Sequence, residues 1–131
     1  MINEVIEELN SSLKNTVKGY KSLSLCYIES AKILFSESLD PDFDLELILA
    51  CNLEIIKTKL QTLSIMGIED DIDSIVFQLK NEVHIIEITE DKSHFIYFTI
   101  DGKDERVELA KQLLNVYKEK ISHVLRTKMA S

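Results

Sequence analysis

The longest amphipathic pattern in the chain runs from Phe43 to Met66. Projected at about 100° per residue, its apolar residues form two stripes instead of one. One stripe is Leu45, Leu49, Leu53, Ile56, Leu60 and Leu63, and the other is Leu47, Ile48, Cys51 and Ile55. A helix on the surface of a domain needs one apolar stripe to face its own core. The second stripe therefore predicts that another subunit covers this central helix.

Helical periodicity also occurs at both ends of the chain. The N-terminal stripe is Ile2, Val5, Ile6, Leu9 and Leu13, and the C-terminal stripe is Val107, Ala110, Leu114, Tyr117, Ile121 and Leu125. These stripes predict a first helix that ends between Asn15 and Gly19 and a last helix that starts after the turn at Asp101-Gly102. We expect a single domain over residues 1–126 and a frayed tail from Thr127 to Ser131.

An alternation of period two predicts five strands. Two short runs, from Lys21 and from Lys32 to Ser36, precede the central helix. Three more, Ile72 to Lys80, Val83 to Thr89 and His94 to Ile100, follow it and are joined by short polar links that imply antiparallel neighbours. Because both alternating sets carry apolar residues, the sheet should be covered on both faces.

The predicted fold class is therefore α/β (α+β), in the order α-ββ-α-βββ-α. It is a three-layer sandwich in which a five-stranded antiparallel sheet carries the central helix on one face and the N- and C-terminal helices on the other.

Composition narrows the range of partners. The chain has 131 residues and is 45% hydrophobic, enough for one sizeable core. Its net charge of −8 would repel phosphate, which argues against nucleic acid as a partner. No apolar run approaches the roughly 18 residues of a membrane span. With no recognisable secretory leader, Cys26 and Cys51 are expected to be packed, free thiols in a reducing cytoplasm.

No motif in the chain predicts catalysis or a cofactor. Neither GxxxxGK[ST] nor GxGxxG occurs, so no phosphate-binding loop is expected. His84 and His94 could be imagined as metal ligands with Glu87, but a metal site needs three or four convergent ligands. We interpret them as two partly exposed sheet histidines and expect no metal. The acidic run from Glu69 to Asp73 lacks the glycine and the distal Glu of a calcium loop, and is read as a solvated turn.

The order of elements, the length and the placing of Gly19, Gly67 and Gly102 resemble the Roadblock family. This family includes Roadblock-type dynein light chains and prokaryotic MglB-like GTPase regulators. The resemblance covers residues 1–125 and implies a profilin-like Roadblock fold. Members of the family often have an Asp-Gly turn between the first two strands, where Glu29-Ser30-Ala31-Lys32 stands here.

The resemblance implies a homodimer, or a heterodimer with a paralogue. In the family the central helix packs beside its counterpart, and the third strand pairs edge to edge with its own copy. An exposed edge strand favours aggregation, and pairing in a two-fold dimer removes it. The expected dimer interface consists of Leu47, Ile48, Cys51, Ile55, Ile72, Ser74 and Val76.

The resemblance also implies a function. Members of the family bind small Ras-like GTPases, and some stimulate GTP hydrolysis. We expect a dimeric regulator or scaffold that is not itself an enzyme and binds an MglA-type GTPase across the paired central helices. The expected GTPase contacts are Glu46, Glu54, Lys57 and Gln61.

Two other classes of protein are alternatives. Chaperones of the type III secretion kind are also small, acidic dimers with three helices and five strands, and they bind unfolded effector segments. They have three strands before the central helix and two after it, so the count of two and three favours Roadblock. A profilin-like sensor would need an interior cavity, for which the large aliphatic residues leave little room.

Overall fold

Three helices and five strands form the described part of the computed structural model, which covers the backbone of residues 2–101 and 104–130 and the side chains of 2–101 and 107–127. In chain order the elements are α1 (Ile2–Thr16), β1 (Tyr20–Tyr27), β2 (Ile33–Ser38), α2 (Leu45–Ile65), β3 (Ser74–Gln78), β4 (Glu82–Ile88), β5 (His94–Asp101) and α3 (Asp104–Ala130). Two strands precede α2 and three follow it, which confirms the predicted order. This count also separates the fold from that of the secretion chaperones.

The strands form one antiparallel sheet in the spatial order β2-β1-β5-β4-β3. The centre is β5, where Tyr97 lies between Ser24 of β1 and Ile86 of β4. The edges are β2 and β3. The β1–β2 link has no glycine, and Ala31 takes up the left-handed conformation at φ 58° that a tight turn requires.

Apolar side chains are buried on both faces of the sheet, as the sequence predicted. The strands contribute to the core beneath α1 and α3 the side chains of Tyr20, Leu23, Leu25, Val83, Ile85, Ile96, Phe98 and Ile100. The strands contribute Cys26, Ile86, Ile88, Phe95 and Tyr97 to the core beneath α2. Successive residues of β5 alternate between the two cores, which follows from the period of two in a strand.

Helix α2 begins and ends with well-formed caps. The Asp44 carboxylate accepts a hydrogen bond from the Leu47 backbone N–H at 3.2 Å. At the other end Gly67 has φ 72°, and the Ile68 N–H donates to the Leu63 carbonyl at 2.9 Å. This is the pattern of a Schellman motif, and it requires the left-handed conformation that glycine adopts without strain.

Several boundaries differ from those predicted from the sequence. Strand β3 spans only Ser74–Gln78, shorter than the predicted Ile72 to Lys80. Helix α3 continues to Ala130, so residues 127–130 of the expected frayed tail are helical, and Ser131 lies outside the described residues. The proposed turn at Asp101-Gly102 also reaches residues outside the described part. None of the described helices is both long enough and apolar enough to cross a bilayer.

Truncation of a central core residue tests this packing. Phe98 is fully buried beneath α1 and α3. We expect Phe98→Ala to lower the free energy of unfolding by about 3–5 kcal/mol, because both the transfer of the ring and the cavity left behind contribute. The control is Val116→Ala, at an α3 position that is 52% exposed, where a change within about 0.5 kcal/mol is expected. Urea unfolding at one fixed protein concentration measures both, and equal effects would contradict the assigned core.

Candidate interaction surfaces

The second apolar stripe of α2 is largely exposed in the single chain. The helix buries Leu49, Asn52, Leu53 and Ile56 against the sheet. By contrast Leu47 is 60% exposed and Ile55 is 40% exposed, Cys51 is exposed and Ile48 is half-buried. We call Leu47, Ile48, Cys51 and Ile55 the α2 flank. These apolar side chains are exposed to solvent instead of being packed in the core of the chain.

A groove of about 440 Å³ lies between the start of α2 and the sheet. Leu47, Ile48 and Cys51 line it on the helix side, and residues at the ends of β1 and β2, among them Ser22 and Ser38, line it opposite. Among the described residues none from β3 lines this groove. Of the other predicted dimer residues, Ser74 and Val76 belong to β3, and Ile72 packs against the core beneath α2.

The floor of the groove is a polar network. The Tyr97 hydroxyl lies 3.1 Å from His84 Nδ1, and His84 Nε2 lies 2.8 Å from Glu82 Oε1. Lys21 Nζ donates to Glu82 Oε2 at 2.5 Å, and this hydrogen bond lowers the pKa of the Glu82 carboxyl. Burial raises the pKa of Tyr97 to about 12, so the phenol stays protonated. His84 is thus held by a tyrosine and a carboxylate.

The structure does not bring the suggested metal ligands together. Within the described ranges no three His, Cys, Asp or Glu side chains converge as a metal site requires. His94 is buried, which corrects the expectation that both histidines are partly exposed, and its Nδ1 lies 2.6 Å from Ser93 Oγ. Alternation alone did not reveal this burial, because it depends on the Tyr27 ring that lies 5.0 Å from the His94 ring across the β1–β5 pair.

The two cysteines have different environments, and neither forms a disulfide. Cys26 is buried beneath α2, and burial raises the pKa of its thiol to about 11, which makes it a poor nucleophile. Cys51 is exposed on the α2 flank. The expectation of a packed thiol is therefore correct for Cys26 and wrong for Cys51 in the single chain.

The free edge of β3 is the least protected edge of the sheet. The Asp73 carbonyl accepts from the Ile88 N–H at 2.8 Å, and the Leu79 N–H donates to the Glu82 carbonyl at 2.9 Å. Because backbone groups alternate in direction along a strand, the odd-numbered residues bond to β4 and the even-numbered ones face outward. The β3 edge is therefore formed by the backbone groups of Ser74, Val76 and Gln78.

Charge is a common protection for edge strands, and β3 has none. Its five residues are Ser, Ile, Val, Phe and Gln, whereas β2 at the other edge carries Glu37. Val76 is 41% exposed. Uncharged edges of this kind pair readily with another strand.

A recess of about 320 Å³ lies between the β3 edge and α3 and contains a buried carboxylate. We call it the Glu87 recess. Glu87 is only 6% exposed, and its Oε1 lies 3.9 Å from Lys118 Nζ. Its Oε2 is buried and has no hydrogen-bond partner among the described residues. Burial raises the pKa of the Glu87 carboxyl. The sequence suggests Glu87 only as a metal ligand, although its place among Ile85, Ile86 and Ile88 indicates an unusual buried charge.

The four predicted GTPase contacts, Glu46, Glu54, Lys57 and Gln61, are all exposed. They form the polar sector of α2 and lie on the face of the sheet opposite α1 and α3. Their exposure is compatible with contact to a partner, and it is equally what any solvated helix face would have.

Comparison with known proteins identifies the fold by its similarity to solved structures. No protein-family model matches the sequence, and no curated protein matches it significantly. Solved structures do match the fold. MglB of Myxococcus xanthus superposes with a TM-score of 0.79 at 10% identity, covering 96% of this chain and 95% of that one.

Two further structures agree. The Roadblock/LC7 domain from Streptomyces avermitilis gives a TM-score of 0.67 at 15% identity, covering 95% of this chain and 97% of that one. An MglB with a tetrameric arrangement gives 0.71 at 12% identity, covering 93% and 88%. The α-ββ-α-βββ-α sandwich described above is therefore the Roadblock/LC7 fold, in the form also found in MglB.

Proposed function

We propose that this chain is a dimeric regulator that binds a small Ras-like GTPase of the MglA type. The observation that supports this most strongly is the similarity of fold to MglB, at a TM-score of 0.79 over 96% of the chain. The match spans every element instead of one motif. The order and spacing of elements in the sequence, which resemble the Roadblock family, agree with this superposition.

The proposed dimer forms through the β3 edge and the α2 flank. The β3 edge supplies unpaired backbone groups, and the flank supplies exposed apolar side chains. Burying apolar surface contributes about 25 cal/mol per Å², and pairing two edges satisfies the free backbone groups of both strands. The interface would include Leu47, Ile48, Cys51, Ile55, Ile72, Ser74 and Val76. An oligomeric state is also supported by the MglB structure with a tetrameric arrangement.

The proposed GTPase site lies on the outer surface of the paired α2 helices. Ras-like GTPases order their switch segments around the γ-phosphate, so a rigid partner that contacts those segments binds one nucleotide state more tightly. A helix backed by a sheet provides such a surface. The net charge of −8 would speed encounter with a basic face at low salt.

The proposed action is binding instead of catalysis. An arginine supplied to a GTPase would stabilise charge in the transition state, but α2 contains no arginine. The side chain of Arg126 lies on α3, where it donates to Glu90 Oε2 at 2.7 Å. If the dimer stimulates GTP hydrolysis, it would do so by repositioning residues of the GTPase itself.

Mutations at the two parts of the interface test the dimer. We expect the wild-type chain to sediment as a dimer and Val76→Lys to sediment as a monomer, because the ammonium group would be desolvated at the strand pair. Ile55→Asp should also dissociate the dimer, and it should not disturb the monomer fold because Ile55 is 40% exposed.

The control for both variants is Val116→Asp, a substitution at an exposed apolar residue of α3. It should leave the dimer intact. A wild-type monomer at micromolar concentration would contradict the proposed assembly. A dimer that survives Ile55→Asp would remove the α2 flank from the interface and leave the β3 edge.

Charge reversal tests the GTPase site. We expect the dimer to bind a purified Ras-like GTPase of the same organism at least tenfold more tightly in one nucleotide form, GTP-analogue or GDP, than in the other. Glu54→Lys should weaken that binding by about tenfold, a loss of about 1.4 kcal/mol. Glu119→Lys makes the same change of charge on an exposed position of α3, and it should have little effect.

Calorimetry measures the affinities, and sedimentation checks that both variants remain dimers. Equal weakening by Glu54→Lys and Glu119→Lys would mean that net charge, and not the α2 surface, governs binding. Equal affinity for the two nucleotide forms would leave a scaffold instead of a regulator.

A further inference from the structure

The carboxylate in the Glu87 recess has a hydrogen-bond acceptor that no described residue satisfies. Oε2 of Glu87 is buried without a partner in the described part of the chain, while Oε1 lies 3.9 Å from Lys118 Nζ. That lysine is shared, since its Nζ also donates to the Asp73 carbonyl at 3.3 Å. Leaving a buried charged acceptor unpaired is costly, so a donor from outside the chain would stabilise it.

The recess opens at the β3 edge, where Ser74 and Val76 are among its lining residues. Glu87 is paired with Ser74 across the β3–β4 ladder, and the two side chains lie on the same face of the sheet. Any strand added outside β3 would therefore place one of its residues next to Ser74, two strands away from Glu87. The identity of that residue depends on the register.

One register pairs the whole of β3 with a second copy of itself. The outward backbone groups belong to Ser74, Val76 and Gln78, and a two-fold axis at Val76 matches all five strand residues. Ser74 then lies opposite the partner subunit's Gln78. Axes at Ile75 or at Phe77 are compatible with the same hydrogen bonding, but each would match only three strand residues and would move the partner's Gln78 away from Ser74.

We propose that the β3 edge binds a second copy of this chain in the register centred on Val76, with the partner's Gln78 amide donating a hydrogen bond to Oε2 of Glu87. This inference rests on the dimer proposed above and adds its register and a polar contact that completes the Glu87 recess. By symmetry the contact occurs twice in each dimer.

Distances and side-chain sizes permit this contact. Cross-strand Cα atoms lie about 4.5 to 5.5 Å apart, so the Cα atoms of Glu87 and the partner's Gln78 would be about 10 Å apart, within the combined reach of two long side chains. Ser74 between them is small. Gln78 is exposed, and its Nε2 donates to its own neighbour Leu79 at 3.0 Å. An amide nitrogen carries two N–H groups, so a second bond is available.

Cysteine cross-linking tests the register. In a Cys51→Ser background, Val76→Cys should oxidise to a covalent dimer, because two residues on the axis lie within the Cα distance of a disulfide. Ser74→Cys is the matched control. Its two copies would be about 14 Å or more apart, from four residues of about 3.4 Å each, and should not cross-link. Cross-linking by Ile75→Cys or Phe77→Cys, without cross-linking by Val76→Cys, would overturn the register.

A double-mutant cycle tests the contact itself. Gln78→Leu should raise the dimer dissociation constant about tenfold in the wild-type chain and less than twofold when Glu87→Leu is also present. Gln112→Leu on exposed α3 should have no effect in either background. Dilution series by sedimentation give the dissociation constants. An equal effect of Gln78→Leu in both backgrounds would overturn the contact.

Different results would contradict the dimer and the contact between Gln78 and Glu87. A wild-type chain that stays monomeric at high concentration contradicts the dimer itself. A dimer that cross-links through Val76→Cys but has no coupling between Gln78 and Glu87 contradicts only the contact. The cross-linking measurement requires no change at Glu87, so it remains decisive if Glu87→Leu does not fold.

Discussion

Burial of apolar side chains on both faces of one short sheet is the constraint on which the rest of the structure depends. Strand β5 at the centre places alternate residues in two separate cores, and Phe98 and Phe95 are fully buried on opposite sides. Such a sheet needs helices on both faces, which explains why α1 and α3 pack together on one side while α2 covers the other alone. None of the other described elements covers the outer side of α2 or the free edge of β3.

Three features of the single chain share this origin. The α2 flank exposes apolar side chains, the β3 edge has free backbone groups, and the Glu87 recess contains an unpaired carboxylate oxygen. The α2 flank exposes apolar surface to water, the β3 edge leaves backbone groups open to unwanted pairing, and the recess buries a charged acceptor. Each of these has its own free-energy cost. The proposed dimer would pair both the backbone groups of the β3 edge and the Glu87 oxygen at one interface, since the recess opens at the β3 edge. The α2 flank, the other part of the proposed interface, borders a groove on the side of β1 and β2.

The described part of the chain presents two uncovered surfaces, the α2 flank and the β3 edge. Beneath α2, Tyr97, His84 and Glu82 form a hydrogen-bonded chain, and Cys26 is buried with a raised thiol pKa. The exposed sector of α2 is charged and mixed in sign, which is typical of a helix that is solvated or contacts a polar partner. These properties are compatible with the proposed binding of another protein.

The sequence by itself determined the elements, their order and the two-sided burial of the sheet, because periods of 3.6 and 2 are local properties of the chain. It also predicted the second stripe of α2. Only the tertiary structure decided the strand order, the shortening of β3, the burial of His94 and the exposure of Cys51, since each depends on neighbours distant in sequence. The Glu87 recess also depends on the tertiary structure, because Glu87, Lys118 and the free edge come from β4, α3 and β3. The energetic cost of a buried charge is set by the groups that surround it.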